Sequence, residues 1–181
     1  GTPRQRIIDA VKNLENGNQV VEFTYSFIIP GTDMDEGISV AFGDYVDDSV
    51  TSEEFKHQIR EALTAWEDFF EKVFNTANGY GGNLEVIFVD LGDEQGNSFA
   101  SSQTVEPYLV PGSENLGDLR YGMEDLSDLR TATPHSPTGA PKAGEGDSSG
   151  DIHFNTQINW RLDRQSRDSG TTSIMLVAVH E

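Results

Sequence analysis

The sequence predicts an α+β domain. Three stretches carry that reading: a β-branched and aromatic run at residues 20–29, a long amphipathic stretch after Thr51, and a second short apolar run at 84–90. The strong elements run strand, long helix, strand, and are followed by shorter strands separated by long loops. With 181 residues the chain is large enough for one domain with a substantial core. Hydrophobic residues make up 35%, beside 18 glycines and 7 prolines, which marks a globular but loop-rich chain.

Residues 4–15 read as a short amphipathic helix. Ile7, Ile8, Val11 and Leu14 form its apolar stripe, and Asn16-Gly17 ends it. Residues 1–19 are therefore taken as an N-terminal extension, with the main domain over 20–181. Val20 to Ile29 (VVEFTYSFII) reads as a strand stopped by Pro30-Gly31. Residues 31–50 are acidic and contain glycine, which predicts a loop. Thr51-Ser52-Glu53-Glu54 fits a capping box, with Thr51 as cap and Glu54 reaching back. Phe55, Ile59, Ala62, Leu63, Trp66, Phe69, Phe70 and Val73 then recur at helical spacing. This stripe predicts a core-facing helix closed by Asn78-Gly79. Leu84 to Asp90 (LEVIFVD) predicts a second strand and Leu116 to Met123 (LGDLRYGM) a third. Ile152-His153-Phe154 predicts a short fourth strand, and a helix is expected to start at Ile174. The polar stretches 91–116 and 131–150 are expected to be loops.

The net charge of −19 comes from 31 acidic against 12 basic residues. It argues against a nucleic-acid partner, which needs a basic face, and against an anionic membrane surface. Most of the charge is accounted for by solubility. Some of the acids are candidates for calcium, which takes oxygen ligands. The chain has no cysteine, which excludes disulfides, thiolate zinc sites and a cysteine-based blocking segment within these residues. No apolar run approaches the ~20 residues of a membrane span.

The chemistry-bearing residues cluster late in the chain. The apolar run Ile174 to Val179 leads directly into His180-Glu181. In His-Glu-x-x-His motifs the first histidine binds zinc, the glutamate is the general base, and a second histidine follows one turn later. Upstream lie Tyr25-Ser26-Phe27, Gly117-Asp118-Leu119-Arg120-Tyr121-Gly122, and Gly150-Asp151-Ile152-His153-Phe154-Asn155 with Trp160 after it. In this order the pieces resemble the metzincin zinc endopeptidases, specifically the matrixin branch with some serralysin character. The resemblance covers roughly residues 20–181. It rests most on the Gly-Asp-x-His-Phe…Trp stretch and on Val-Ala-x-His-Glu.

The resemblance implies a twisted mixed β-sheet, a long helix packed on it, and an active-site helix beginning near Ser173. It implies zinc as cofactor, with His180 as the first catalytic zinc ligand and Glu181 as the general base. It also implies a structural zinc held by His135 and His153, and a calcium ion held by Asp151 with carbonyls near Asp147 and Ser149. The chain departs from the family pattern at Asn155 and Ile158, where carboxylates are usual, and near residues 120–122, where a histidine is usual. Glu124, Asp125 and Asp128 are nearby acids whose register is off by a few residues. The strand near 117–123 is expected to run along the cleft and pair with extended substrate by strand addition.

The implied activity is zinc-dependent hydrolysis of internal peptide bonds, with a protein or peptide as partner. The implied setting is a secreted, bacterial, monomeric protein. The chain reads as the N-terminal portion of such a domain, ending at the zinc motif. It is expected to be inactive by itself, because one histidine does not hold zinc tightly. A rival reading of the same residues is a non-catalytic, acidic, calcium-dependent binding domain. A third is a plain α+β domain carrying chance motif fragments.

Overall fold

A computed structural model describes residues 3–34, 37–43, 50–93, 118–125, 144–146, 151–162 and 171–180. The first element is α1 (Pro3–Lys12), followed by a 3-10 turn at Leu14–Asn16. Next come β1 (Gln19–Phe27), a small antiparallel hairpin of β2 (Asp33–Met34) and β3 (Gly37–Ile38), and α2 (Ser52–Val73). The chain continues through β4 (Leu84–Asp93), β5 (Leu119–Glu124), β6 (Gly144–Gly146) and β7 (Asp151–Asn155). It ends in β8 (Trp160–Arg161), β9 (Thr172–Ser173) and α3 (Ile174–His180).

One five-stranded sheet organises these elements, in the order β4-β1-β5-β7-β6. The β4, β1, β5 and β7 strands run parallel, and β6 pairs antiparallel with β7. The result is a mixed α/β architecture, in accord with the α+β expectation. The predicted strands and helices appear near their expected positions. Two stretches read as loops carry strands: the β2–β3 hairpin lies within 31–50, and β6 within 131–150.

Side chains alternate across the sheet as the strand period requires. Tyr25 and Phe27 of β1, Tyr121 and Met123 of β5, and Ile152 and Phe154 of β7 all join one core cluster. Phe55, Ile59, Ala62 and Leu63 of α2 meet them there. Phe55 is fully buried, and its ring centroid lies 5.1 Å from Phe42, 5.1 Å from Phe154 and 5.6 Å from Trp160. A second cluster, built from Ala10, Leu14, Val21, Phe23, Leu84 and Val86, fixes α1 to β1 and β4. Arg6 reinforces this docking: its Nη1 lies 3.2 Å from Asp118 Oδ1, and its guanidinium stands 4.6 Å above the Phe23 ring.

The start of α2 matches its sequence signal. Glu54 N–H donates to Thr51 Oγ1 and Thr51 N–H donates to Glu54 Oε1, the full capping box. Its end differs from expectation: α2 stops at Val73, not at Asn78-Gly79. The Asn75 and Asn78 side chains donate to the terminal carbonyls of Lys72 and Val73, satisfying acceptors that the helix leaves unpaired. Gly79, in the left-handed region at φ 88°, closes the short 3-10 turn that follows. The aromatic stripe also differs from a uniform core face. Trp66 is 36% exposed and Phe69 48%, and the two stack edge-to-face with centroids 5.6 Å apart.

Beneath α2, Arg60 Nε donates to Asp90 Oδ2 at 2.8 Å, beside the Tyr25 hydroxyl. Burial, and then the Asp90 charge, push Tyr25 up to about 12. Burial pushes Tyr121 above the ordinary tyrosine range as well. Both shifts favour the neutral phenol in the folded state. The stability they contribute is complete below the unfolded tyrosine value of about 10 and is lost as pH rises through the folded values. Thermal melts are expected to show a stability plateau that falls away above about pH 10. Tyrosinate absorbance should show a subset of tyrosines that ionise only as the protein unfolds. A full tyrosine titration in the folded protein near pH 10 would contradict this.

Candidate metal centre and active-site helix

The turn after β7 and the helix α3 are built as one unit. Asn155 Oδ1 accepts from Gln157 N–H at 3.0 Å, and the Asn155 carbonyl accepts from Trp160 Nε1 at 2.9 Å. This folds the chain back so that β8 lies alongside β9, with Trp160 opposite Thr172 and Arg161 opposite Ser173. Ser173 then begins α3, its Oγ accepting from Leu176 N–H at 3.2 Å. The pairing of β8 with β9 thus links the strand that carries His153 to the helix that carries His180.

Within α3, Ile174 and Ala178 are buried against the core, one helical turn apart. Leu176 and His180, also one turn apart, are exposed. Trp66 Nε1 donates to the Val179 carbonyl at 3.2 Å. This contact ties α2 to α3 at the residue just before His180. Glu181 lies outside the described residues.

His153 lies on the sheet face opposite α2. Its strand neighbours Ile152 and Phe154 point into the core beneath that helix, so His153 and Asn155 point the other way. Arg120 and Glu124 of β5 share this second face. All four are buried: His153 is 2% exposed, Arg120 1%, and Glu124 and Asn155 0%. The parallel register sets Gly122 beside His153 and Glu124 beside Asn155. Glycine at 122 leaves the diagonal open, and His153 Nδ1 comes within 2.5 Å of Glu124 Oε1. The contact is within ion-pair range but off the line of a hydrogen bond. Glu124 Oε2 is buried and accepts no hydrogen bond among the described residues. Glu145 of β6 is the register partner of His153 on its other side.

This arrangement has the chemistry of a metal-site fragment. Zinc takes imidazole nitrogen and carboxylate oxygen, and a ligating histidine commonly gives its second nitrogen to a carboxylate that orients the ring. Glu124 occupies that orienting position at Nδ1, and Nε2 is the nitrogen that would face a metal. Among the described residues, no group of three or more His, Cys, Asp or Glu side chains gathers tightly enough to hold a metal ion. His180 and His153 are therefore not joined in one cluster among these residues. His135 lies outside the described residues, and Asp151 is described only as the first residue of β7, opposite Arg120.

Two sequence expectations are corrected here. Glu124, set aside because its register was off, is the acid that meets His153; the in-register pairing of β5 and β7 brings it there. The strand at 117–123 was expected to pair with substrate. It is interior, with β5 bonded to β1 through residues 119–121 and to β7 through residues 120–124. The outer strand on that side is β6, which pairs only with β7 among the described strands.

Among the described residues no helix is long and apolar enough to cross a membrane. Comparison with protein families, with curated proteins and with solved structures finds no match to this chain.

Proposed function

We propose that this chain is part of a secreted, metzincin-like zinc endopeptidase that hydrolyses peptide bonds in proteins. The observation that carries the reading is the end of α3. One face of the helix is fixed to the core by Ile174 and Ala178, its last turn is held by Trp66, and His180 emerges exposed, with Glu181 next in the chain. A metal ligand needs a rigid support and an open outer side, and α3 offers both.

In this reading His180 is one zinc ligand. Bound zinc supplies a water acidified to a pKa of about 7. Glu181 is the base that takes the proton from the attacking water and delivers it toward the leaving amine. Trp66, through the Val179 carbonyl, is a positioning residue for His180. His153, oriented by Glu124, belongs to a second, structural metal centre that also draws on His135, and Asp151 is assigned to calcium. The outer side of β6 receives an extended peptide by strand addition. The calcium-dependent binding reading has one observation in its favour, the buried and unsatisfied Glu124 Oε2. It predicts stabilisation by calcium without cleavage.

The test is proteolysis by the full-length protein. Cleavage of an unfolded protein substrate should be abolished by a zinc chelator and restored by zinc. Absence of cleavage, together with calcium-dependent melting, would replace this reading with the binding-domain one.

A further inference from the structure

A pocket opens at the edge of the packing between the sheet and the helices. A cavity of about 370 Å³ lies between the four parallel strands and the helices. It lies in the range of small-molecule sites.

The shape and lining of the cavity define what fits. Its floor crosses the sheet from Phe88 of β4, through Phe23 of β1 and Tyr121 of β5, to Ile152 of β7. Phe23 is level with Phe88 but Tyr121 is level with Phe27, so the slot crosses the four strands on a diagonal and is longer than the about 14 Å that three spacings of about 4.8 Å give. Leu63, Trp66 and Ala178 close it from the α2 and α3 side. The walls are almost wholly hydrocarbon and aromatic, which favours an extended apolar tail over a polar ligand.

One charge lines the space. Arg4 of α1 borders the cavity, and no carboxylate is among its lining residues. The two neighbouring arginines of α1 have different environments. Arg6 is engaged by Asp118 and by the Phe23 ring. Arg4 is exposed and makes no ion pair or hydrogen bond among the described residues. In a chain of net charge −19, a solitary guanidinium beside an apolar slot is a specific complement to an anionic headgroup.

We infer that this cavity is a binding site for a medium-chain fatty acid, with the acyl tail in the slot across the sheet and the carboxylate on Arg4. A bound tail touches Ala178 and Trp66, and so bears on the helix that presents His180. The N-terminal extension is then one wall of a ligand site as well as a brace on the sheet.

Calorimetric titration of the full chain with decanoate, 1-decanol and decylamine tests this. Decanoate is expected to bind saturably, one per chain, with decylamine the weakest of the three. Arg4→Gln should weaken decanoate by about fivefold, the effect of an ion pair at an exposed rim, and leave decanol unchanged. Ala178→Leu, which fills the slot, should abolish binding of all three. Ile7→Phe provides a second filling variant at the outer wall if Ala178→Leu lowers the melting temperature enough to prevent titration. No saturable uptake by the wild-type chain would overturn the assignment. So would equal binding of the amine and the acid, or decanoate binding unchanged in a folded filling variant.

Discussion

Glu181→Gln is expected to lower peptide cleavage by the full-length protein by about 10²–10⁴-fold while leaving its zinc content unchanged. The substitution keeps the size and hydrogen-bonding shape of the side chain and removes only its ability to take a proton. Glu181 follows His180, the last residue of α3, whose position is set by Ile174, Ala178 and the Trp66 contact to Val179. None of these contacts depends on the carboxylate, so melting temperature should hardly move. A variant that keeps full activity would remove Glu181 from the chemistry. A variant that loses zinc as well as activity would recast it as a ligand.

Glu124→Leu is expected to destabilise the fold by about 3–5 kcal/mol, because it leaves the His153 imidazole buried without its carboxylate. His153→Leu should cost a comparable amount, leaving a carboxylate with 0% exposure and no partner at Oε1. The double variant Glu124→Leu/His153→Leu should recover much of the loss, since two apolar side chains of suitable volume replace a pair whose desolvation is expensive. Denaturant unfolding of the four proteins gives the coupling energy directly. Additive losses would show that the two residues act independently and would remove the pair as a metal-site fragment. If a metal is bound there, chelator should destabilise the wild type more than the double variant.

The parts of the fold that could be read from the sequence are those set by local rules. The capping box at Thr51 and Glu54 involves residues three apart and forms as expected. The strands at β1 and β4 are rich in β-branched and aromatic residues over nine and ten positions, long enough for their pattern to be distinct. The parts that were missed depend on partners distant in sequence. The β6 strand is Gly-Glu-Gly, with no strand propensity of its own, and exists through its pairing with β7. The β8 and β9 strands are two residues each and are defined by one another. Helical spacing placed Trp66 and Phe69 on the buried stripe but does not say where the sheet beneath α2 gives way to α3 and solvent.

The candidate site divides the same way. His180 and Glu181 stood out because they follow an apolar helix-forming run, and His180 lies on α3. His153 stood out through its Gly-Asp-x-His-Phe setting, and it is a buried strand histidine. Its partner Glu124 could be found only from the register of β5 against β7, which requires both strands to be aligned in space. A glycine at 122, directly beside His153, was the one sequence clue that the diagonal acid could approach.

The most direct test of the central claim is the zinc content of the full-length protein purified without added metal, beside that of its His180→Ala variant. Zinc is expected on the wild type, and the variant should lose the catalytic zinc, with the melting temperature changed by no more than the lost metal explains. A wild-type protein that holds no zinc, or a variant that keeps all of it, would contradict the assignment of His180 and with it the zinc endopeptidase reading.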